Sequence, residues 1–219
     1  MKIGVLGTGT VGQTIASKLV HLGHEVMMGS RDVDNPKAVA WSKEEGGQHA
    51  MFGNFANAAS FAEIIFNCTL GTASLDALTL AGAGNLKGKI LIDTSNPIDY
   101  STDNWSLTVC NTDSLGEQIQ REFPEALVVK TLNTINADVM VNPTRLAEMT
   151  EVFVSGNDPE AKATVIKMLR DGFGWKHIID LGDITTSRSV EMYVLLWRSL
   201  RKVVSSYQFN IKLVQSAQR

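Results

Sequence analysis

The chain begins with a short apolar run followed by closely spaced glycines, and this pattern limits the folds open to it. Residues 2–6 are apolar after Lys2, and Gly7, Gly9 and Gly12 follow at the spacing Gly-x-Gly-x-x-Gly. Apolar residues then recur at helical spacing, at Ile15, Ala16, Leu19 and Val20. A strand, a glycine turn and a helix in this order predict the first βαβ unit of a parallel α/β sheet.

Each glycine of the loop has its own physical role in binding a dinucleotide. Gly7 permits the tight turn, Gly9 lets the backbone approach a pyrophosphate, and Gly12 lets the helix pack against the strand. The N–H groups and the dipole of the helix N-terminus favour the same anion. A purely structural glycine turn is the alternative, but the flanking strand and helix favour a dinucleotide site. We predict that this site includes the whole loop: Gly7, Thr8, Gly9, Thr10, Val11 and Gly12.

The end of the second predicted strand indicates which dinucleotide binds. A site for NAD usually has a carboxylate about 20 residues past the loop, where it binds the ribose 2′-hydroxyl. Ser30 and Arg31 occupy that place here, and a hydroxyl and a guanidinium suit a 2′-phosphate. The sequence therefore predicts NADP(H). Two alternatives stay open, because Asp32 could bind the ribose and Arg31 could be a solvated loop residue.

The composition is that of an ordinary globular domain. The chain has 219 residues, of which 44% are hydrophobic and 20% charged, with a net charge of -3. The slight acidity argues against nucleic acid as a partner, and no apolar run approaches the roughly 18 residues that span a bilayer. Cys68 and Cys110 do not make a disulfide scaffold, and the scattered histidines lack metal-ligand spacing. No signal segment precedes the first strand, so we expect a cytoplasmic protein without membrane contact or metal.

Apolar strands alternate with helical segments along the chain. We predict strands at residues 2–6, 25–28, 49–52, 64–68, 89–93, 127–131, 151–155 and 177–180. Asp158 and Pro159 begin a helix as N-cap and first residue, which runs to about residue 171, and a long helix runs from about residue 186 past residue 204. Residues 100–117 are polar and are expected to be irregular. The predicted fold is a Rossmann-type, doubly wound α/β domain with a mostly parallel sheet over residues 1–183, and a small C-terminal helical part at 184–219.

Three later strands end in residues that suit a cofactor site. Ligands bind doubly wound sheets at the carboxyl ends of the strands. The candidates at these ends are Thr69, Leu70, Asn96, Pro97, Asn133 and Ile135. Their small, polar or amide-bearing runs suit a cofactor edge or a nicotinamide carboxamide. Asn and Pro are also common in turns, so each loop alone has a structural alternative, but the shared position at strand ends favours a site.

No pattern for acid–base or nucleophilic catalysis stands out. The chain has no nucleophile elbow, P-loop or paired-cysteine motif. This is compatible with direct hydride transfer between two redox rings, because the cofactors then supply the chemistry and the protein positions them. We therefore assign no catalytic residue and expect a small-molecule redox cofactor as the partner.

Several motifs taken together resemble one family. They are the glycine loop, Gly29-Ser30-Arg31, Asp93-Thr94-Ser95-Asn96-Pro97, Lys130-Thr131-Leu132-Asn133-Thr134-Ile135, Ser187-Arg188-Ser189-Val190-Glu191 and Phe209-Asn210-Ile211-Lys212-Leu213-Val214. The chain is similar over nearly its whole length to coenzyme F420-dependent NADP oxidoreductases. The cytoplasmic reductase domains of six-transmembrane ferric reductases are related to that family.

The resemblance implies a Rossmann domain with a small C-terminal helical part, in a homodimer. It also implies NADPH on the glycine loop, with Ser30 and Arg31 at the 2′-phosphate and a second redox ring near Asn133 and Ile135. Family members that use F420 have His where this chain has Asn133, whereas its Asn-Pro run is nearer to the ferric reductase domains, which use a flavin. The implied reaction is hydride transfer between NADPH and coenzyme F420 or a flavin.

Two other functions stay open. A hydroxyacid or imine reductase is one, although the helix from residue 186 lacks the glycine-rich lead and the Lys-plus-Asn pair of the β-hydroxyacid dehydrogenases. A non-catalytic NADPH sensor is the other.

The helix from residue 186 is apolar nearly all round from Met192 to Trp197, which predicts that it is buried. Either its own sheet or the same helix of a second subunit could cover it.

Overall fold

The computed structural model describes residues 1–101 and 103–216, with a central sheet between two layers of helices. Within these residues the strands are β1 (Lys2–Leu6), β2 (Glu25–Ser30), β3 (Ala50–Asn54), β4 (Ile64–Asn67), β5 (Ile90–Asp93), β6 (Ile98–Asp99), β7 (Ser106–Leu107), β8 (Leu127–Thr131), β9 (Glu151–Gly156) and β10 (His177–Gly182). The helices are α1 (Thr10–His21), α2 (Pro36–Glu44), α3 (Phe55–Phe61), α4 (Ser74–Ala81), α5 (Ala83–Leu86), α6 (Leu115–Glu122), α7 (Ala137–Val141), α8 (Pro159–Lys167) and α9 (Ser187–Val204).

Eight strands of the described chain form one sheet in the order β10-β9-β8-β5-β4-β1-β2-β3. Neighbouring strands from β3 to β8 pair in parallel, and β8 pairs antiparallel with β9. The chain winds outward from β1 in both directions, which is the doubly wound arrangement. The predicted Rossmann-type fold with a mostly parallel sheet is confirmed. Strands β6 and β7 form a separate antiparallel hairpin after β5.

Two apolar layers hold the helices against the sheet. On one face Ile15 of α1 and Trp175 belong to the same buried cluster as Phe66 of β4, and on the other face Leu78 of α4 clusters with Ile65. Ile65 and Phe66 are consecutive and both fully buried, because successive side chains of a strand point to opposite faces. Helices on both sides therefore explain why the predicted strand at 64–68 is apolar nearly throughout.

Some helices differ from the sequence prediction. Residues 100–117, expected to be irregular, contain β7 and the start of α6, where the Ser114 hydroxyl accepts from the N–H of Glu117 at 3.1 Å. Helix α7 lies in a segment for which no helix was predicted. Asp158 is the N-cap of α8, as predicted, and accepts from the N–H of Ala161 at 2.7 Å. That helix ends earlier than expected and continues as a wider π-helical segment over Met168–Phe173.

Helix α9 is buried on one side only. Val190, Glu191 and Val194 are buried, whereas Leu195 and Leu196 are exposed, Leu196 by 54%. The expectation of burial nearly all round therefore does not hold for a single chain.

The predicted boundary between the Rossmann domain and the C-terminal part, at residue 183, stays a prediction. Residues 217–219 of the predicted C-terminal part lie outside the described residues.

A buried lysine joins the strand ends to α9. Lys130 of β8 has no exposed side-chain surface, and its Nζ lies 2.7 Å from Asp93 Oδ2, from Glu191 Oε1 and from the carbonyl oxygen of Ser95. Glu191 also accepts from two backbone N–H groups at the start of α6, at 2.8 and 2.9 Å. Burial alone would lower the pKa of Lys130, but the two carboxylates outweigh this effect and raise the pKa above its usual value. The side chain is therefore a charged ammonium inside the protein.

We expect Lys130→Met to destabilise the fold strongly, because it leaves the carboxylates of Asp93 and Glu191 buried without their cation. Breaking a buried ion pair by removing one partner typically costs about 3–5 kcal/mol in the free energy of unfolding. Lys87→Met is the matched control, since Lys87 pairs with Glu125 at the surface at 2.6 Å and exposed pairs contribute little. Urea unfolding of both variants measures the difference.

The raised pKa of Lys130 also sets the pH range of this effect. Its stabilising contribution is fully present below the unfolded-state pKa of about 10.4 and is lost only as the pH rises through the still higher folded-state pKa. The deficit of Lys130→Met should therefore not shrink between about pH 6 and about pH 9. A deficit no larger than that of Lys87→Met, or one that disappears by about pH 9, would contradict the buried ion pair.

Candidate functional site

A groove of about 910 Å³ crosses the carboxyl edge of the sheet, a volume typical of small-molecule sites. Its walls come from the segments that follow four neighbouring strands, in the order β2, β1, β4 and β5, and from helices beside them. The predicted site residues that line it are Gly7, Thr8, Gly9, Thr10, Val11, Ser30, Arg31, Thr69, Leu70 and Asn96. The other predicted residues, Gly12, Pro97, Asn133 and Ile135, do not line it.

The glycines of the loop after β1 differ in their surroundings. Gly7 has a φ of +120°, a value that favours glycine, and a Cβ there would lie 2.6 Å from the carbonyl oxygen of Cys68. A Cβ on Gly12 would lie 2.1 Å from the carbonyl oxygen of Gly7. Apart from Gly9 itself and the two residues adjacent to it in the chain, no atom of the described chain lies within 4 Å of the Cβ position of Gly9. The fold therefore requires Gly7 and Gly12, whereas the open space at Gly9 is the cradle that a phosphate would fill.

Helix α1 begins at this cradle with its N-terminus uncapped by a side chain. Its N-cap is Gly9, and no acidic residue lies in its first turn. The N–H groups of a first turn have no partners within the helix, and the helix dipole adds a partial positive charge. Thr10 and Val11 of this turn line the groove. The arrangement fits the pyrophosphate of a dinucleotide.

The end of β2 supplies the cationic end of the groove. Ser30 is buried, and its hydroxyl donates to the carbonyl oxygen of Asp32 at 2.5 Å. Arg31 is exposed, and it takes part in none of the ion pairs found within residues 1–101 and 103–216. Asn35, the N-cap of α2, lines the groove together with Arg31, whereas Asp32 does not. Of the two candidates, Arg31 therefore lies in the groove wall and Asp32 does not.

Buried hydrogen bonds fix the strand ends beneath the groove. Asn67 of β4 donates to Asp93 of β5 at 2.9 Å and accepts from the hydroxyl of Thr69 at 2.7 Å. The same carboxylate oxygen of Asp93 accepts from the hydroxyl of Ser95 at 2.6 Å, while its other oxygen binds Lys130. The polar side chains at this edge are therefore held in fixed positions.

Asn133 lies behind the groove wall. It is 5% exposed, and its amide nitrogen donates to Asn96 Oδ1 at 2.9 Å and to the carbonyl oxygen of Val190 at 3.1 Å. Asn96 donates in return to the carbonyl oxygen of Asn133 at 2.7 Å. Asn133 thus positions Asn96, which does line the groove, and Ile135 is buried in the core.

The groove has little acid–base chemistry of its own. Its titratable lining residues within the described chain are Arg31, Cys68, Asp76 and Tyr100. Burial raises the pKa of the Cys68 thiol to about 12, so it is protonated and is not a nucleophile. Burial also raises the pKa of the Tyr100 phenol. The side chains of the groove are therefore suited to binding and orienting a ligand.

Neither a metal site nor a membrane-spanning helix was found in the part of the chain that the structure describes. Within residues 1–101 and 103–216, no group of three or more His, Cys, Asp or Glu side chains is placed to hold a metal ion. The helices of the same residues are too short or too polar to cross a bilayer.

Some wall residues could not be found from the sequence. Phe55 and Leu80 come from helices, where the sequence pattern does not separate an apolar residue that faces a groove from one that faces the core. Tyr100 lies in the segment expected to be irregular. Lys130, which lies outside the wall, could have been singled out from the sequence. An isolated charge in an otherwise apolar strand must have a partner of opposite charge if it is buried.

A sequence model of the family described as coenzyme F420-dependent NADP oxidoreductase matches residues 2–97. The chain is 50% identical to a candidate F420-dependent NADP reductase of Arthrobacter sp. FB24, whose crystal structure superposes with a TM-score of 0.93 and covers 98% of this chain and 100% of that one. These two matches place the chain in a family of reductases.

More distant relatives match the chain as well. Rat metalloreductase STEAP3 is 31% identical over 196 residues, which are 87% of this chain and 36% of that protein. The chain thus spans about a third of the length of the curated relatives it matches. A reductive aminase of Aspergillus terreus in complex with NADPH has a TM-score of 0.63 at 17% identity, over 93% of this chain and 62% of that one, which shows the shared fold alone.

We expect Gly9→Ala to fold as the wild type does and to bind NADPH much more weakly. Gly9 has a φ of -78° and a ψ of 179°, which alanine can also adopt. The added Cβ would occupy only the space that the phosphates need. Gly12→Ala is the matched control, because its Cβ clashes inside the loop and should lower the melting temperature even without cofactor. Thermal unfolding and NADPH titration separate the two effects. Unchanged NADPH affinity in Gly9→Ala would contradict the phosphate cradle.

Proposed function

Because this chain belongs to the family of coenzyme F420-dependent NADP oxidoreductases, we propose that it transfers a hydride between NADP(H) and a second planar redox cofactor, F420 or a flavin. The proposal rests on the continuity of the groove. A single groove joins the glycine cradle, the N-terminus of α1 and Arg31 to the ends of β4 and β5.

The order of the strands gives the dinucleotide a direction in the groove. Parallel neighbours lie about 4.8 Å apart, so the three gaps from β2 to β5 span roughly 14 Å. With the 2′-phosphate at Arg31 and the pyrophosphate at Gly9, the nicotinamide lies over the ends of β4 and β5. Thr69, Leu70 and Asn96 then border the ring.

Asn96 orients the nicotinamide carboxamide in this proposal. Its amide uses one N–H and one lone pair on Asn133, which leaves one N–H and one lone pair for a ligand. A carboxamide needs one donor and one acceptor of this kind. Asn133 then acts through Asn96 from behind the wall, whereas Ile135 contributes to the apolar core. Pro97, which is buried, stiffens the same turn as Asn96.

The chemistry of the reaction belongs to the cofactors. When bound, NADPH supplies a hydride from its nicotinamide C4 to the acceptor ring, and one proton from water completes the two-electron reduction. The side chains of this chain hold the two rings in contact. The neutral Cys68 thiol forms part of the wall and takes no proton.

Steady-state oxidation of NADPH, measured separately with F420, FMN and FAD, tests this function. Turnover with a deazaflavin or a flavin supports it and names the acceptor. Tight NADPH binding without turnover of any of the three would instead indicate an NADPH sensor. Turnover of hydroxyacids or imines in place of the ring cofactors would point to a small-molecule reductase.

The assignment of the 2′-phosphate predicts a selective effect of Arg31→Ala. A charge-assisted contact changes affinity by roughly ten- to a hundredfold, so the Kd for NADPH should rise by that factor while the Kd for NADH stays nearly constant. Arg145→Ala is the control, because Arg145 is also exposed and lies away from this groove. Calorimetric titration of both cofactors measures the effect. An equal loss for NADPH and NADH would contradict the role of Arg31.

We also propose that the chain forms a homodimer through the outer face of α9. This face carries exposed apolar residues at helical spacing, namely Leu195, Leu196, Val203 and Val204. Leu196 and Val203 are two turns apart and so share one side of the helix. A second copy of α9 would cover them in a two-fold interface.

Sedimentation velocity tests the dimer directly. Leu196→Glu should shift the protein to a monomer, because it places a charge in the apolar interface. Leu22→Glu is the matched control, since Leu22 is exposed at the end of α1. A wild-type monomer at micromolar concentration, or a dimer that survives Leu196→Glu, would contradict the proposed interface.

A further inference from the structure

The β6–β7 hairpin places an aromatic cluster at the β5 end of the groove. Tyr100 of this hairpin lines the groove and is 53% exposed. Its ring meets Trp105 edge to face, with the ring centroids 5.6 Å apart and an interplanar angle of 76°. A large aromatic side chain that stays exposed in the wall of a groove is typical of a binding surface.

Helix α9 holds this cluster in place. The guanidinium of Arg198 lies over the Trp105 ring, 4.4 Å from its centroid, and the same guanidinium donates to the carbonyl oxygen of Asp103. One side chain therefore binds both an aromatic ring and the backbone of the hairpin. Cation–π attraction of this kind restrains Trp105, and Trp105 in turn restrains the Tyr100 ring.

We propose that Tyr100 is the surface on which the acceptor ring stacks, and that Arg198 positions Tyr100 through Trp105. This inference rests on the proposed function, because it takes the nicotinamide to lie over the ends of β4 and β5. Tyr100 then follows the nicotinamide along the groove, at the place where a second ring must lie to receive a hydride.

The chemistry of the surface fits a flat, tricyclic acceptor. A flavin or deazaflavin ring offers a broad π-face, and aromatic rings attract one another in offset or edge-to-face contact. The buried side chain of Ile98 lines the groove next to Tyr100 and gives the same region an apolar surface. Both rings share this chemistry, so Tyr100 selects planar acceptors as a class.

Three variants of the intact protein test the stacking surface. Tyr100→Ala should raise the KM for the acceptor roughly three- to tenfold and leave the Kd for NADPH unchanged. Tyr100→Phe should keep the wild-type KM, because the ring rather than the hydroxyl makes the contact. Arg198→Met should raise the KM in the same direction as Tyr100→Ala without changing the Kd for NADPH.

Arg201→Met is the matched control for Arg198→Met. Arg201 lies on the same helix and makes the same kind of contact with the ring of Tyr207, at 4.0 Å from its centroid, but it is not part of the hairpin cluster. It should leave the acceptor KM unchanged. If Arg198 acts through Tyr100, the double variant Tyr100→Ala/Arg198→Met should be no worse than Tyr100→Ala alone.

The outcomes separate this inference from the proposed function. FMN and F420, each assayed with NADPH and each titrated into protein saturated with NADP⁺, show which ring binds. Absence of turnover with both rings in the wild type would overturn the proposed function and the stacking surface with it. Wild-type turnover combined with an unchanged acceptor KM in Tyr100→Ala would overturn the stacking surface alone. So would a variant that loses NADPH affinity as strongly as acceptor affinity, because Tyr100 would then belong to the nicotinamide site.

Discussion

The charged ammonium of Lys130 is buried among the carboxyl ends of the strands, and several elements around the groove are held in place by their contacts with it. A buried ammonium is stable only when it is paired and hydrogen-bonded, and Asp93, Glu191 and the Ser95 carbonyl meet that need. These partners come from β5, from the loop after it and from α9. One side chain therefore fixes the relative positions of elements that are distant in sequence and that together form one end of the groove.

Helix α9 supports the groove at three points. The carbonyl of Val190 accepts from Asn133, which holds Asn96, while Glu191 binds Lys130 and Arg198 holds the β6–β7 hairpin. The same helix exposes Leu196 on another side. In the proposed dimer, one helix would serve both the subunit contact and the wall that receives the acceptor, so the two sites would share a rigid support.

The sequence predicted those parts of the molecule that depend on local pattern. The glycine loop could be recognised because close approach of the backbone requires glycine. The strand over residues 64–68 could be recognised because burial on both faces requires apolar residues nearly throughout. Helix α6 was missed because only Leu115 and Ile119 are large apolar residues on its buried side. Its Glu117 is buried through a pair with Arg188, at 2.8 Å, and that partner is 71 positions away in the sequence. Asn133 was correctly located after a strand, but the sequence could not show which way its side chain points. Leu132 before it takes a φ of 64°, uncommon for a residue of its size, and the side chain of Asn133 points to Asn96.

A crystal structure of the protein with NADP⁺ bound would show directly how the groove holds the dinucleotide. We expect the 2′-phosphate within hydrogen-bonding distance of Arg31, the pyrophosphate over Gly9, and the nicotinamide against Asn96 at the β5 end of the groove. A cofactor bound in the reverse direction, with its adenosine at Asn96, would contradict this binding mode, and so would a cofactor bound outside this groove.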